Sequence, residues 1–465
     1  MGAIPPSNKL GGLLEVVIIK NRVKRITMIG TGYVGLVSGV CFAKQGFSVK
    51  CVDIIPEKIE AINSAQPPIY EKGLDELLKE MVSTGMLKGT THTEEAILNS
   101  DVAFICVGTP SKESGEMDTV WIESAARDIG RALKKKDEYF VVTAKSTIVP
   151  GTTDSVIMPI LEEESGKEAG KDFGVAFCPE FLREGNAIED FLKPDRVVIG
   201  AIDELSYETV RELFDWVPKE TPILKTDLRT AEMIKYGANS FLATKISFIN
   251  TISNMCEALG VNDIYEVAEG IGLDFRISPY FLRAGAGFGG SCFPKDVKAI
   301  IAAAKKANYD PLLLNSVIEV NKRQPLRLIS MCKEVVGNDL SGKQFAILGL
   351  AFKPDTDDIR EAPAIIVIDD LLKNNATIKA YDPEAMNNMK QLFGEKVQFT
   401  ESKEAALRDT DVCIIVTNWK EFTELQPNDV KTLMKTPIVI DGRKTVDAET
   451  FLNAGVTYRR IGLKK

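Results

Sequence analysis

The sequence predicts an α/β fold with two doubly wound parallel-sheet domains joined by a long central helix and a helical middle region. Three observations predict it. Near the start, "RITMIGTGYVGLVSGVCFAKQGFSVKCVDI" reads as an apolar strand, a glycine turn, a helix and a second strand, a βαβ unit. The last third repeats that grammar: "KQFAILGLAF" opens it, "IKAYDPE" echoes "VKCVDIIPE", "DVCIIVTNW" echoes "DVAFICVGTP", and "PIVIDGR" adds a buried strand. Between the two, apolar residues recur every three or four positions from Asp227 to Leu259, the period of one helix face. Both sheet domains are thus expected to be Rossmann-like.

The totals agree. At 465 residues the chain is too long for one ordinary domain. Apolar residues at 45% and charged residues at 26% exclude a disordered or fibrous chain. The net charge of −9 comes without a basic stripe, which argues against nucleic acid as a partner. No apolar run approaches the roughly 20 residues that cross a bilayer, so no membrane role is expected. Residues 1–22, "MGAIPPSNKLGGLLEVVIIKNR", carry an apolar patch but neither a basic leader nor a small-residue cleavage site. They read as an extension, and the protein as cytoplasmic.

The first sheet domain is placed at 23–222. After the βαβ unit its strands continue through "DVAFICVGTP", "YFVVTAKST", "FGVAFCP" and "DRVVIGAI", separated by helical or turn-rich segments. A central helical and dimerisation region follows at 223–329. In its long helix the stripe Ile234, Ala238, Phe241, Ile246, Ile249, Ile252, Cys256 and Leu259 is expected to face a core, with Gly260 as C-cap. The second sheet domain is placed at 330–465.

Gly30-Thr31-Gly32-Tyr33-Val34-Gly35 stands between a strand and a helix, where a dinucleotide fingerprint belongs. Its glycines let the backbone approach a pyrophosphate at the positive helix end. Asp53 closes the second strand, where a carboxylate suits two ribose hydroxyls and repels a 2′-phosphate; NAD is the expected cofactor. Gly349-Leu350-Ala351-Phe352-Lys353, after the first strand of the second domain, lacks the fingerprint, so that domain should hold a different ligand.

Eight cysteines are scattered without any C-x-x-C pair, which argues against a metal cluster; no metal is expected. The single histidine, His92, lies in a polar turn and reads as a solvated loop residue, leaving little imidazole for general base work. Cys292, in "GFGGSCFPKD", has two readings. A cysteine is more often a small buried hydrophobe than a nucleophile. Against that, glycines 285, 287, 289 and 290 offer backbone approach around an anionic ligand, Lys295 favours a thiolate, and Asp296 is a proton acceptor.

The ordered set "GTGYVGLVSG", "PIYEKGLDELL", "VGTP", "KSTIVPGT", "PEFLREGNAIEDFLKPDRVVIG", "EMIKYGANSFLATKISFIN", "GFGGSCFPKD", "GLAFKPDTDDIREAP" and "IDGR" resembles the UDP-glucose/GDP-mannose dehydrogenase family over nearly all the chain from about residue 24. Lys72 stands where the motif "PIYEPGL" carries proline. "TNWKEF" and "VIDGRK" resemble the UDP-glucose branch, and "GGSCFPKD" differs from the cysteine loop of acetamido-sugar relatives. The resemblance implies an NAD-dependent, four-electron oxidation of the UDP-glucose C6 alcohol to UDP-glucuronate, with two NADH per turnover. It also implies an NAD-binding first domain, a UDP-sugar-binding last domain and a homodimer.

Roles follow from the same resemblance. Cys292 is implied as the nucleophile that forms a thiohemiacetal and then a thioester, and Glu180 as the base that activates water to hydrolyse it. Read without the resemblance, Glu180 is a helix-start carboxylate. Lys235 and Asn239 lie four apart on one helix face and are implied to stabilise charge on the C6 oxygen. By itself Lys235 would pass for a solvated lysine. Thr147 and Asp296 are implied to hold a water, and the choice between Lys235 and that water for the first proton stays open. Toward NAD the resemblance adds Lys58, Thr109, Ser146, Thr147, Glu184, Lys295 and Arg360 to Gly30, Gly32, Tyr33, Val34, Gly35 and Asp53. Toward the UDP-sugar it adds Phe181, Arg183, Phe281, Arg283, Gly289, Lys353 and Arg443 to Glu180, Lys235 and Asn239, with Arg276 reaching into a partner subunit's site.

Overall fold

The computed structural model describes residues 23–464, so the extension expected at 1–22 lies outside the described residues. The chain divides into two compact units, one ending at Gly237 and the other beginning at Ala238.

The first unit is built on eight strands: β1 (Arg25–Ile29), β2 (Ser48–Val52), β3 (Leu87–Thr90), β4 (Val102–Ile105), β5 (Val141–Ala144), β6 (Gly174–Phe177), β7 (Val197–Ala201) and β8 (Ile223–Thr226). Their order across the sheet is β3-β2-β1-β4-β5-β6-β7-β8. Strands covered on both faces read as unbroken apolar runs, and β4, "VAFI", is buried at every position. Alternate residues serve opposite faces: Met28, Phe104 and Val141 join one apolar cluster, Ile29, Ile105 and Val142 the other. The sheet departs from an all-parallel one between β6 and β7, which pair antiparallel before β7 and β8 run parallel to each other. Apolar runs encode burial and not direction, so the reversal left no mark in the sequence pattern.

The strand order changes direction between β1 and β4, and there the glycine turn after β1 meets the start of the "VGTP" loop after β4, a Cβ on Gly30 lying 3.0 Å from the Val107 amide nitrogen. Ligands of doubly wound sheets bind outside the carboxyl ends of the strands there. The second unit repeats the plan with β9 (Gln344–Leu348), β10 (Thr377–Tyr381), β11 (Gln398–Phe399), β12 (Val412–Ile415), β13 (Ile438–Asp441) and β14 (Thr457–Arg460). Their order is β11-β10-β9-β12-β13-β14, parallel throughout. Helices Ile264–Gly272, Phe293–Lys306 and Leu312–Arg323 form the expected helical middle region, while helix Leu326–Val336 puts Leu328, Ile329, Met331 and Cys332 into the core of the second sheet.

The long helix runs Leu228–Leu259 and ends at Gly260 with φ of +71°, as expected. Its buried face keeps most of the expected stripe, with Ile234, Ile246 and Ile252 packed against apolar clusters. Ile249 and Cys256 are buried, but Phe241 is 64% and Leu259 75% exposed. The buried positions include Glu232, Lys235, Asn239, Ser247 and Asn250, polar residues whose partners lie far away in sequence. Among the described residues no helix is long and apolar enough to cross a membrane.

Candidate active site

In the first unit the glycine turn is built as the fingerprint requires. Gly30 takes φ of +97°, and a Cβ there would meet the Cys106 carbonyl oxygen at 2.9 Å. A Cβ on Gly35 would meet the Gly30 carbonyl oxygen at 1.9 Å, so Gly35 lets helix Tyr33–Lys44 pack against the turn. A Cβ on Gly32 would meet nothing within 4 Å, and Gly32 caps that helix with no side-chain hydrogen bond. The turn therefore offers an open cradle and a positive helix end, which fits a dinucleotide pyrophosphate. Asp53 follows β2 and accepts hydrogen bonds from the Thr31 amide at 2.8 Å, the Thr31 hydroxyl at 2.6 Å and the Ile55 amide at 3.1 Å. Burial works to raise its pKa, but these donors and the Lys58 ammonium, 3.9 Å away, hold it below the usual carboxylate range.

Glu180 and Lys235 meet as a buried ion pair at 2.9 Å. Burial would raise the Glu180 pKa; the Lys235 charge and hydrogen bond, the Leu182 amide at 2.6 Å and Lys145 together lower it. Lys235 also lies 5.3 Å from the centre of the Phe181 ring, and the Arg196 guanidinium covers that ring at 3.7 Å. Arg183 is turned to Asp190, with its Nε 2.9 Å from a carboxylate oxygen. Glu184, half-buried, lies in the same 180–187 segment. The Ser146 hydroxyl donates to the Val107 carbonyl at 2.6 Å and the Thr109 hydroxyl to the Thr147 carbonyl at 3.1 Å, tying the loops after β4 and β5 together. Just beyond, Glu232 accepts from the Gly151 amide at 2.6 Å and from the Thr153 amide and hydroxyl at 2.9 and 2.5 Å. Burial dominates and pushes the Glu232 pKa up to about 7.

In the second unit Cys292 is the N-cap of helix Phe293–Lys306, half-exposed, with its sulfur 3.5 Å from the Ser291 hydroxyl. The other seven cysteines are buried, and burial raises the thiols of Cys41, Cys51 and Cys106 to about 12. One turn past Cys292, the Asp296 carboxylate accepts from the Asn239 amide at 2.6 Å and from the Lys295 ammonium at 2.6 Å. A positive helix end favours a thiolate.

The glycines before Cys292 are also required by their protein neighbours. A Cβ on Gly289 would meet the Glu361 carbonyl oxygen at 2.4 Å, one on Gly290 the Phe352 ring at 2.7 Å, and one on Gly285 the Gly442 carbonyl oxygen at 2.9 Å. They admit protein neighbours. Side-chain amides missed in the sequence then fix the loop. Asn250 accepts from the Gly285 amide at 2.8 Å and Gln324 donates to the Gly285 carbonyl at 3.0 Å, while Asn321 pairs with both backbone groups of Phe288. "VNKRQP" places Asn321 and Gln324 three apart on one helix end, the spacing that could have drawn attention to them.

Arg443 donates to the Val416 and Gly287 carbonyls at 3.0 and 2.8 Å. Arg360 turns to Asp358 and Arg276 to Asp274, both exposed. Phe281, with φ of +65°, lies 6.2 Å ring to ring from Phe293, Arg283 is exposed, and the Lys353 ammonium is 5.5 Å from the Phe352 ring. In this unit Asp382 occupies the place of Asp53, but it is consumed internally by the Leu350 and Ala351 amides, at 2.6 and 3.0 Å, and by the Trp419 indole at 2.9 Å.

Comparison with known proteins gives the same division of tasks. Residues 24–217 match the NAD binding domain of the UDP-glucose/GDP-mannose dehydrogenase family, 229–323 its central domain and 346–448 its UDP binding domain. The chain is 44% identical over 439 residues to the Bacillus subtilis UDP-glucose 6-dehydrogenase TuaD, covering 94% of this chain and 93% of that protein. It is 45% identical over 424 residues to the Haloferax volcanii UDP-glucose 6-dehydrogenase AglM, covering 90% and 97%. The structure of a UDP-glucose dehydrogenase from Pyrobaculum islandicum superposes with a TM-score of 0.87 at 36% identity, covering 99% of this chain and 100% of the other. That of a UDP-D-ManNAc dehydrogenase from Pyrococcus horikoshii gives 0.83 at 30% identity, covering 94% and 99%. With NAD as its cofactor, the chain belongs to the UDP-glucose/GDP-mannose dehydrogenase family.

Proposed function

We propose that this protein oxidises the C6 alcohol of UDP-glucose to the carboxylate of UDP-glucuronate, through an intermediate bound covalently to Cys292. The observation that carries this reading is the setting of Cys292: alone among eight cysteines it is not buried, and it caps a helix beside Lys295 and Asp296. NAD, when bound, accepts a hydride from C6 in each of two oxidations. Gly30, Gly32, Tyr33, Val34, Gly35, Asp53 and Lys58 would hold its adenosine and pyrophosphate end, and Thr109, Ser146, Thr147, Glu184, Lys295 and Arg360 the remainder.

In the first oxidation the C6 hydroxyl proton goes to Lys235 or to a water held by Thr147 and Asp296. The Cys292 thiolate then adds to the aldehyde carbon: a C–S bond forms and the carbonyl electron pair moves onto oxygen. The Asn239 amide and the Lys235 ammonium stabilise that oxygen. The second oxidation turns the thiohemiacetal into a thioester. Glu180, held ionised by Lys235, takes a proton from water; the water oxygen adds to the thioester carbon and the C–S bond breaks, returning the thiolate. Phe181, Arg183, Phe281, Arg283, Gly289, Lys353 and Arg443 are proposed to hold the UDP-sugar.

An NADH assay across UDP-glucose, UDP-galactose, UDP-N-acetylhexosamines and GDP-mannose tests class and substrate together. Two NADH per UDP-glucose are expected, and one NADH with free aldehyde would sink the four-electron reading. Replacing Cys292 by Ser should leave less than about a thousandth of the double oxidation, and near-normal turnover would remove the nucleophile.

We also propose a homodimer. Phe241, Phe248 and Met255 recur every seven residues on the long helix and are 64%, 50% and 50% exposed, an apolar stripe that a second copy would cover, with Arg276 reaching its site. Phe248→Glu should give a monomer by light scattering; an unchanged mass would refute this. Free thiols throughout suit the reducing cytoplasm proposed as its compartment, which cell fractionation can check.

A further inference from the structure

Glu71 is the acidic residue of "PIYEKGLDELL", a motif that the chemistry above leaves unused. Its side chain is buried and ties together three stretches of the first unit. One carboxylate oxygen accepts from the Gly185 amide at 2.6 Å and from the Tyr33 phenol; the other accepts from the Ala187 amide at 2.8 Å. The Gly185 amide also reaches the Tyr33 oxygen at 3.1 Å, which closes the network. Tyr33 is the first residue of the helix behind the cradle at Gly32. Gly185 and Ala187 directly follow the segment that carries Glu180 and Glu184. Among the described residues no lysine or arginine forms an ion pair with Glu71, so its charge is met by donors alone. Three donors converging on two oxygens require a carboxylate, because the NH₂ of an amide would face at least one N–H.

We propose that Glu71 is a positioning residue for the cofactor: it locks the 185–187 turn to the first turn of the dinucleotide helix, so that the NAD cradle and the Glu180 segment hold one fixed arrangement. This rests on NAD binding and not on the covalent step. Tyr33 and Glu71 then act as one unit, and removing either breaks the same join.

The test is a double-mutant cycle on NAD affinity, measured by calorimetry on the full chain without sugar, using Tyr33→Phe, Glu71→Gln and the pair. Each single change is expected to weaken NAD about tenfold, and the double change no more than about tenfold. The KM for NAD should rise more than the KM for the sugar nucleotide, and the melting temperature should stay within a few degrees. Additive loss of about a hundredfold would overturn the join, as would Glu71→Gln with NAD affinity within twofold of the parent. A melting temperature that falls steeply while both KM values rise together would make Glu71 a purely structural support and would also overturn the proposal. Should Glu71→Gln fail to fold, Tyr33→Phe alone still decides, because it leaves both backbone amides their acceptors: unchanged NAD affinity in that variant refutes the lock.

Discussion

Replacing Lys235 by Met isolates the electrostatics of the first unit. Lys235 and Glu180 are 4% and 6% exposed, and the methionine keeps most of the volume while removing the charge. Deleting one member of a buried ion pair leaves the other charge uncompensated and costs about 3–5 kcal/mol. At roughly 2–4 °C per kcal/mol for a unit of this size, the melting temperature should fall by roughly 10 °C at pH 8. The Glu180 contribution to the pH dependence should also reverse. In the parent, the Glu180 pKa is lowered, so its contribution is present above the unfolded value and is lost as pH falls through the folded one. Without Lys235 the largest remaining influence is burial, which raises the pKa. A carboxyl raised in that way favours the folded state at low pH and loses stability as pH rises. Thermal unfolding of the parent, Lys235→Met and Lys235→Met/Glu180→Gln at pH 5 and pH 8 measures this directly. The single variant should be least stable at pH 8, and the double variant should recover most of the loss. A Lys235→Met protein as stable at pH 8 as at pH 5, or within about 1 kcal/mol of the parent at pH 8, would refute the reasoning.

Three further outcomes follow from the geometry. Gly32→Ala meets no atom within 4 Å and should fold with an unchanged melting temperature while raising the KM for NAD, whereas Gly35→Ala, 1.9 Å from the Gly30 carbonyl, should lower the melting temperature itself; equal melting temperatures for the two would contradict the packing. In native protein one thiol per chain should react rapidly with iodoacetamide, and mass spectrometry should find it at Cys292, because the other seven are buried. Glu232, raised to about 7, contributes stability that is full below the unfolded carboxylate range and is lost as pH rises through 7. Parent melting temperatures should therefore decline between pH 5 and 8, and Glu232→Gln should flatten that decline; an unchanged slope would assign it to another group.

Elements whose signal is local were legible in the sequence. The glycine turn and Asp53 work through their own backbone and a neighbouring strand, so spacing alone located them. The long helix was legible too, since apolar period and a terminal glycine are written within it. Its orientation was legible only in part. Phe241 and Leu259 contribute to the apolar period as strongly as Ile249, yet only Ile249 is buried. What turns the helix is a polar set: Glu232 bonded to 151–153, Lys235 paired with Glu180, and Asn250 on Gly285. Each of these three side chains meets a partner far away in sequence, and periodicity carries no information about partners.

The same reason explains the cysteine loop. Glycines before Cys292 signalled close backbone approach, and Glu361, Phe352 and Gly442 are the protein groups that approach them. Close packing on one side and amides from Asn250, Asn321 and Gln324 on the other fix the backbone that leads to Cys292. A nucleophile held by its loop needs no imidazole to hold it. The helix terminus supplies a favourable charge environment, and Lys295 and Asn239 hold the Asp296 carboxylate one turn away. The scarcity of histidine is thus consistent with a site that places its thiol by backbone rigidity, and loosening that rigidity at Asn321 should slow alkylation of Cys292 before it affects the melting temperature.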